Sequence, residues 1–184
     1  MERGMQEFNE YKVVETIHES TTSIVFRAKR DSDHNPVILK MLKGVHPGAR
    51  QLARYRHEFE LLRSLDLESI IKAYKIEEYE NTLILVLEDF NAESLKKLLG
   101  AHAFPLEEVL RIFIMVVEAL SLLHERHILH QDLNSSNIVY NRQTGVCKLI
   151  DFGLAVRLSP TNPSHRQTNT LRGTLAYISP EQPG

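Results

Sequence analysis

The texture of the chain changes once, near residues 89–92, and that change limits the fold more than any single motif. Up to Phe90, short apolar stretches alternate with turn-forming residues. Residues 11–17 and 23–28 are apolar and rich in β-branched side chains, as strands require. Asp31-Ser32-Asp33-His34-Asn35-Pro36 is dense turn chemistry, and the apolar residues 37–41 follow it, so residues 23–41 read as a hairpin. Leu52, Tyr55, Phe59, Leu62 and Leu65 recur at helical spacing. Ile70-Ile71 and residues 83–87 read as buried strands, and Glu80-Asn81-Thr82 as a chain reversal.

After Phe90 the pattern turns helical. Residues 93–99 suggest a short helix ending near Gly100. Phe104-Pro105 precedes a long one, with Glu107 and Glu108 in its first turn, where the helix dipole favours carboxylates. Leu106, Leu110, Phe113, Val117 and Leu120 make one apolar stripe of that helix. Val109, Ile112, Val116 and Leu123 make a second, which predicts burial on nearly all sides. Two short strands follow, at 138–140 and 146–150, and residues 155–171 read as a long polar loop. The expected class is α+β in two lobes: a tail over 1–10, a β-rich lobe over 11–89 and a helical lobe from 90 to 184.

Composition narrows the function. With 184 residues, 42% hydrophobic and 25% charged, the chain can bury a core of ordinary globular kind. A net charge of −2 argues against a broadly basic nucleic-acid surface. The single cysteine, Cys147, rules out an intrachain disulfide and fits a reducing, cytoplasmic setting. Residues 1–7 hold no apolar run, so no signal peptide is expected there. The most apolar stretch, 106–123, carries Glu107, Glu108, Arg111 and Glu118, too many charges for a membrane span.

Three local patterns carry chemistry. Lys40 sits in an apolar strand and alternates away from Leu39 and Met41. An inward ammonium needs an anionic partner, and Glu58 on the following helix offers one. In His130-Gln131-Asp132-Leu133-Asn134-Ser135-Ser136-Asn137, Asp132 can accept a proton from a hydroxyl, and Asn137 can offer a neutral oxygen to a hard cation. Asp151-Phe152-Gly153 puts a carboxylate at a strand end, suited to Mg²⁺.

Their order and setting resemble the eukaryotic-type Ser/Thr protein kinase family. Val37-Ile38-Leu39-Lys40, Glu58, residues 130–137, Asp151-Phe152-Gly153 and Ser179-Pro180-Glu181 match its motifs in sequence. Gly173-Thr174 and Tyr177 resemble its substrate-docking segment. More narrowly, the asparagine-containing loop and Leu175-Ala176-Tyr177-Ile178-Ser179-Pro180-Glu181 resemble kinase domains that open large bacterial sensor proteins. The resemblance implies a bilobal fold, ATP and Mg²⁺ as cofactors, and a protein substrate bearing Ser or Thr. Lys40 would hold the α- and β-phosphates and Glu58 would orient it. Asp132 would be the base, and Asn137 and Asp151 would hold the metal. Val25 would roof the adenine with Ile17 in the same nucleotide-binding set. Leu87 would be the gatekeeper, with the hinge running from Glu88 to Phe90.

The departures are specific. His18, Ser20 and Ser23 stand where the family has three glycines, which predicts weaker or slower nucleotide use. Gln131 replaces the arginine that meets a phosphorylated activation loop. Activity is therefore expected not to depend strongly on phosphorylation between Asp151 and Glu181, where Thr161, Ser164, Thr168 and Thr170 are available. Asn134 replaces a lysine that neutralises the transferring phosphoryl group. The resemblance covers about the first two-thirds of a kinase domain, which predicts a fragment or a truncated product, with downstream signalling modules in a longer chain and apolar surface left exposed here. Two other classes stay open: a regulatory nucleotide-binding or docking module without transfer, and a small-molecule phosphotransferase. His124, His127 and His130 are read as structural rather than as metal ligands.

Overall fold

A computed structural model of the chain describes residues 7–44, 47–101, 103–158 and 174–177. The chain divides into two units. The first comprises residues up to Asp66 and Ile71–Asn91, and the second comprises Leu67–Ile70 and residues from Ala92 onward.

Among the described residues the first unit holds β1 (Glu7–Phe8), β2 (Tyr11–Glu19), β3 (Ser23–Arg30), β4 (Pro36–Leu42), α1 (Ala49–Arg63), β5 (Ala73–Tyr79) and β6 (Thr82–Glu88). The strands make one sheet in the order β1-β2-β3-β4-β6-β5, antiparallel throughout. Alternation sorts its side chains onto two faces. One carries Phe8, Tyr11, Phe26, Ala28, Val37, Leu39, Ile84 and Val86, which form a buried core. The Phe8 ring lies 5.2 Å from that of Phe26, tilted by 42°, and edge-on at 5.1 Å against Tyr79. The β5–β6 reversal puts Glu80 and Asn81 at φ 45° and 70°, the left-handed pair of a two-residue hairpin turn.

Two expectations change here. Residues 1–10 are not simply a tail: Glu7–Phe8 is a strand paired with β2, and Phe8 is 2% exposed. Ile70-Ile71 is not a strand of this sheet. Ile70 makes a lone parallel bridge to Leu149, and the Leu149 N–H donates to the Ser69 carbonyl at 2.9 Å, so Ser69 and Ile70 belong to the second unit, while Ile71 falls in the first.

The second unit holds β7 (Glu93–Ser94), α2 (Leu95–Ala101), α3 (Leu106–Glu125), β8 (Ile128–Leu129), β9 (Ile138–Asn141), β10 (Val146–Leu149), β11 (Val156–Arg157) and a 3-10 turn over Leu175–Tyr177. β10, β9 and β7 form one small sheet, and β11 pairs with β8 in another. Helix α3 buries Ile112, Val116, Ala119 and Leu123. It is not buried all round: Leu106, Leu110, Phe113, Ile114 and Val117 are each more than half exposed. The loop expected over 155–171 begins later than its polarity suggests, because Val156–Arg157 pairs with Leu129 and Ile128. Its remainder from residue 159, with Gly173 and Ser179-Pro180-Glu181, lies outside the described residues.

Candidate active site

In the first unit the site starts from strand alternation. Lys40 lies opposite Val25 on β3 and Leu85 on β6. Ile38 lies one step along, opposite Leu87. Val25, Lys40, Ile38 and Leu87 therefore share the face turned away from the Phe26–Leu39 core. Helix α1 supplies the anion. The Lys40 ammonium donates to both carboxylate oxygens of Glu58, at 2.8 and 2.9 Å, with the Tyr55 ring centre 5.5 Å away. Glu58 is 1% exposed. A carboxylate that deep requires this partner, since an unpaired buried charge is costly. Ile17 is 44% exposed and sits where the β2–β3 register slips between Thr16 and His18.

The segment after β6 is tied down at several points. The Glu88 N–H donates to the Lys72 carbonyl at 2.9 Å. The Arg27 Nε donates to Asp89 Oδ2 at 2.8 Å, while Asp89 Oδ1 accepts the Asn91 N–H at 2.8 Å. Phe90 within it is half-buried. Arg27 and Asp89 are 62 residues apart, and nothing local in the sequence marks them as a pair.

The turn joining β2 to β3 is closed on itself. Ser20 Oγ accepts the Ser23 N–H at 3.0 Å and the Thr22 N–H at 3.3 Å, and lies 3.1 Å from both the Ser23 carbonyl and the Ser23 hydroxyl. Lys43, just past β4, donates from Nζ to the Ser20 carbonyl at 3.0 Å and pairs with Glu19 at 2.5 Å. That ammonium holds the Glu19 carboxyl below its ordinary range by hydrogen bond and by charge.

In the second unit, residues 130–137 fold around Asp132. Asp132 Oδ1 accepts from both the N–H and the hydroxyl of Thr174, each at 2.8 Å. Asp132 Oδ2 accepts from Asn137 Nδ2 at 3.0 Å, and the same nitrogen donates to the Asp132 carbonyl at 2.8 Å. Asn137 has thereby spent its donors, and its Oδ1 is the group left to act as an acceptor. Asn134 is 6% exposed. Its Nδ2 donates to the Asp132 carbonyl at 3.1 Å and to Thr174 Oγ1 at 3.2 Å, and its Oδ1 accepts the Ser136 N–H at 2.8 Å. A lysine could not make that last bond. Around this cluster lies a cavity of about 250 Å³, lined by Lys96, Asp132, Asn134, Ser136, Thr174 and Tyr177 among others.

Asp151 follows directly. The Ile150 N–H donates to the Asn137 carbonyl at 3.0 Å, which ties the end of β10 to the loop. Phe152 is fully buried and meets the His130 ring edge-on at 4.7 Å, while His130 Nε2 lies 3.0 Å from the Ile150 carbonyl. His130 is thus spent on packing, and no group of three metal-ligating side chains occurs among the described residues. Gln131 and Asp151 both take left-handed φ, 62° and 61°. Non-glycine residues there cost on the order of 1–3 kcal/mol each, a strain found most often at functional sites. Oxygen donors on Asn137 and Asp151 suit a hard divalent cation such as Mg²⁺.

Thr174 is the residue that sequence reasoning undervalued. Gly173-Thr174 suggested a docking segment, yet Thr174 supplies two of the three donors on the Asp132 carboxylate. Its separation of 42 residues hides the link from local reading.

Over 175 residues the chain is 30% identical to the serine/threonine-protein kinase PrkC of Bacillus subtilis (strain 168), covering 94% of the chain and 26% of that protein. It is 31% identical over 175 residues to the serine/threonine-protein kinase PLK4 of Drosophila simulans, covering 94% of the chain and 22% of that protein. The chain therefore spans about a quarter of the length of these curated relatives. The family model described as the protein kinase domain matches residues 11–182. That span takes in every site residue from Ile17 to Thr174, and by it the chain belongs to the protein kinase domain family.

Proposed function

We propose that the chain is a serine/threonine protein kinase module that moves the γ-phosphoryl group of Mg-ATP to a Ser or Thr hydroxyl of a protein. The observation that carries this reading is the Asp132 carboxylate, held by Thr174 and Asn137 beside a cavity of about 250 Å³. A base must be oriented and within reach of the hydroxyl it serves, and these bonds fix the orientation.

Asp132 takes the proton of the attacking hydroxyl as that oxygen bonds to the γ-phosphorus. The bond from the γ-phosphorus to the bridging oxygen breaks, and ADP leaves with that electron pair. Lys40, oriented by Glu58, holds the α- and β-phosphates. Asn137 and Asp151 would hold Mg²⁺, which when bound neutralises phosphate charge. Val25 and Ile17 cover the adenine, Leu87 stands behind it, and the backbone from Glu88 to Phe90 meets its edge. Asn134 positions Asp132 and Thr174. No helix among the described residues is long and apolar enough to cross a membrane. A cytoplasmic place of action and signalling modules on a longer chain belong to the same proposal.

Transfer of labelled γ-phosphate to casein tests the reading. Wild type labels casein, and Asp132→Asn lowers the rate about 10²–10⁴-fold. Casein labelling that does not depend on Asp132 rejects the assignment. Nucleotide binding with no labelling by either protein leaves a regulatory module.

A further inference from the structure

The β2–β3 turn is closed on one of its own side-chain oxygens, Ser20 Oγ. A backbone turn holds phosphate through N–H groups that converge on one oxygen. Two such groups are present here, on Thr22 and Ser23, and both already point at one oxygen, Ser20 Oγ. A hydroxyl has two lone pairs and one proton. Both lone pairs are taken by these N–H groups, and the proton has the Ser23 carbonyl or hydroxyl to donate to, each 3.1 Å away. Ser20 Oγ is therefore saturated and has nothing left to offer a ligand. The backbone is closed as well: the Ser20 N–H donates to the Ser23 carbonyl at 2.9 Å, and the Lys43 N–H donates to the Thr22 carbonyl at 2.9 Å. Lys43 adds its side-chain bonds to the Ser20 carbonyl and to Glu19, so one lysine braces both sides of the turn.

We propose that Ser20 Oγ stands in for a nucleotide phosphate oxygen on the β2–β3 turn, so that the hydroxyl competes with the β- and γ-phosphates for the N–H groups of Thr22 and Ser23. This rests on reading that turn as the phosphate-covering loop of the kinase site. Ser20 is then a residue that sets nucleotide affinity by occupying the seat. The serine does not compensate for the missing glycine; it opposes the ligand. Nucleotide that gains those N–H groups must first turn the Ser20 side chain away, whereas AMP, which lacks the β- and γ-phosphates, has no such demand.

Titration calorimetry of Mg-ATP and of AMP into the wild-type chain, Ser20→Ala, Ser20→Thr and Lys40→Met tests this. Ser20→Ala removes the competing oxygen and keeps the Cβ. It is expected to bind Mg-ATP about three- to tenfold more tightly, the scale of one or two released hydrogen bonds, with AMP affinity unchanged. Ser20→Thr keeps the hydroxyl and is expected to match wild type. If Ser20→Ala binds Mg-ATP equally or more weakly, or tightens AMP as much as ATP, the competition does not exist. The underlying reading fails separately: Mg-ATP binding that Lys40→Met leaves intact removes the kinase site itself, and this inference with it.

Discussion

The base role proposed for Asp132 falls on a carboxylate that already holds three protein donors. Thr174 spends its N–H and hydroxyl on Oδ1, and Asn137 spends its amide on Oδ2. The donors orient the group at the cost of competing with the substrate hydroxyl. Orientation dominates if Thr174→Ala, which removes one of the two donors on Oδ1, lowers kcat by about tenfold while leaving the KM for ATP in place. A steady-state titration of both substrates separates the two effects. Asn134 is a second case. Asn134→Lys is expected to raise kcat by adding a cation near the transferring group. It is also expected to lower Tm, because the Ser136 N–H loses its acceptor. Cys147 is set by burial alone, which pushes its thiol from the ordinary 9.0 up to about 11. Below pH 9 both folded and unfolded chains keep the proton. Between 9 and 11 the unfolded chain releases it first, so stability falls as pH rises through that window. Burial raises Tyr11, Tyr74 and Tyr140 in the same direction. Denaturant titrations from pH 8 to 11 should show a falling midpoint, and Cys147→Ala should flatten the curve.

At the scale of elements, the strand–helix couple of β4 and α1 carries the buried charge. The pair itself adds little net stability, but losing one member takes from the other the charge it bonds at 2.8 and 2.9 Å. Glu58→Ala is expected to cost about 3 kcal/mol. Lys40→Met with Glu58→Leu should recover most of that loss, because two apolar chains replace two charges. Equilibrium denaturation of both variants gives the comparison. This couple was legible in sequence because the alternation of Leu39, Lys40 and Met41 and the helical stripe through Glu58, Leu62 and Leu65 are both short-range signals. Helix α3 shows the limit of such signals. Its two apolar stripes look alike in sequence, yet Ile112, Val116, Ala119 and Leu123 are buried while Leu110, Phe113 and Val117 face solvent. Periodicity identifies an apolar face but not what packs on it. The links from Thr174 to Asp132 and from Arg27 to Asp89 were likewise hidden, because each joins residues more than forty positions apart.

For the whole molecule, the residues assigned to the nucleotide and to transfer are divided between two units of the chain. Lys40, Glu58 and the Ser20 turn belong to the first, and Asp132, Asn137 and Asp151 to the second. In the sequence the Lys40 and Glu58 motifs fall before the change in texture and the Asp132 and Asp151 motifs after it. If both sets serve one nucleotide, they must fail differently. The most direct measurement follows Mg-ATP binding and casein phosphorylation side by side in wild type, Lys40→Met and Asp132→Asn. Lys40→Met should lose both, whereas Asp132→Asn should bind Mg-ATP as wild type does and transfer about 10²–10⁴-fold more slowly. Phosphorylation that persists unchanged in Asp132→Asn, or binding indifferent to Lys40, contradicts the assignment.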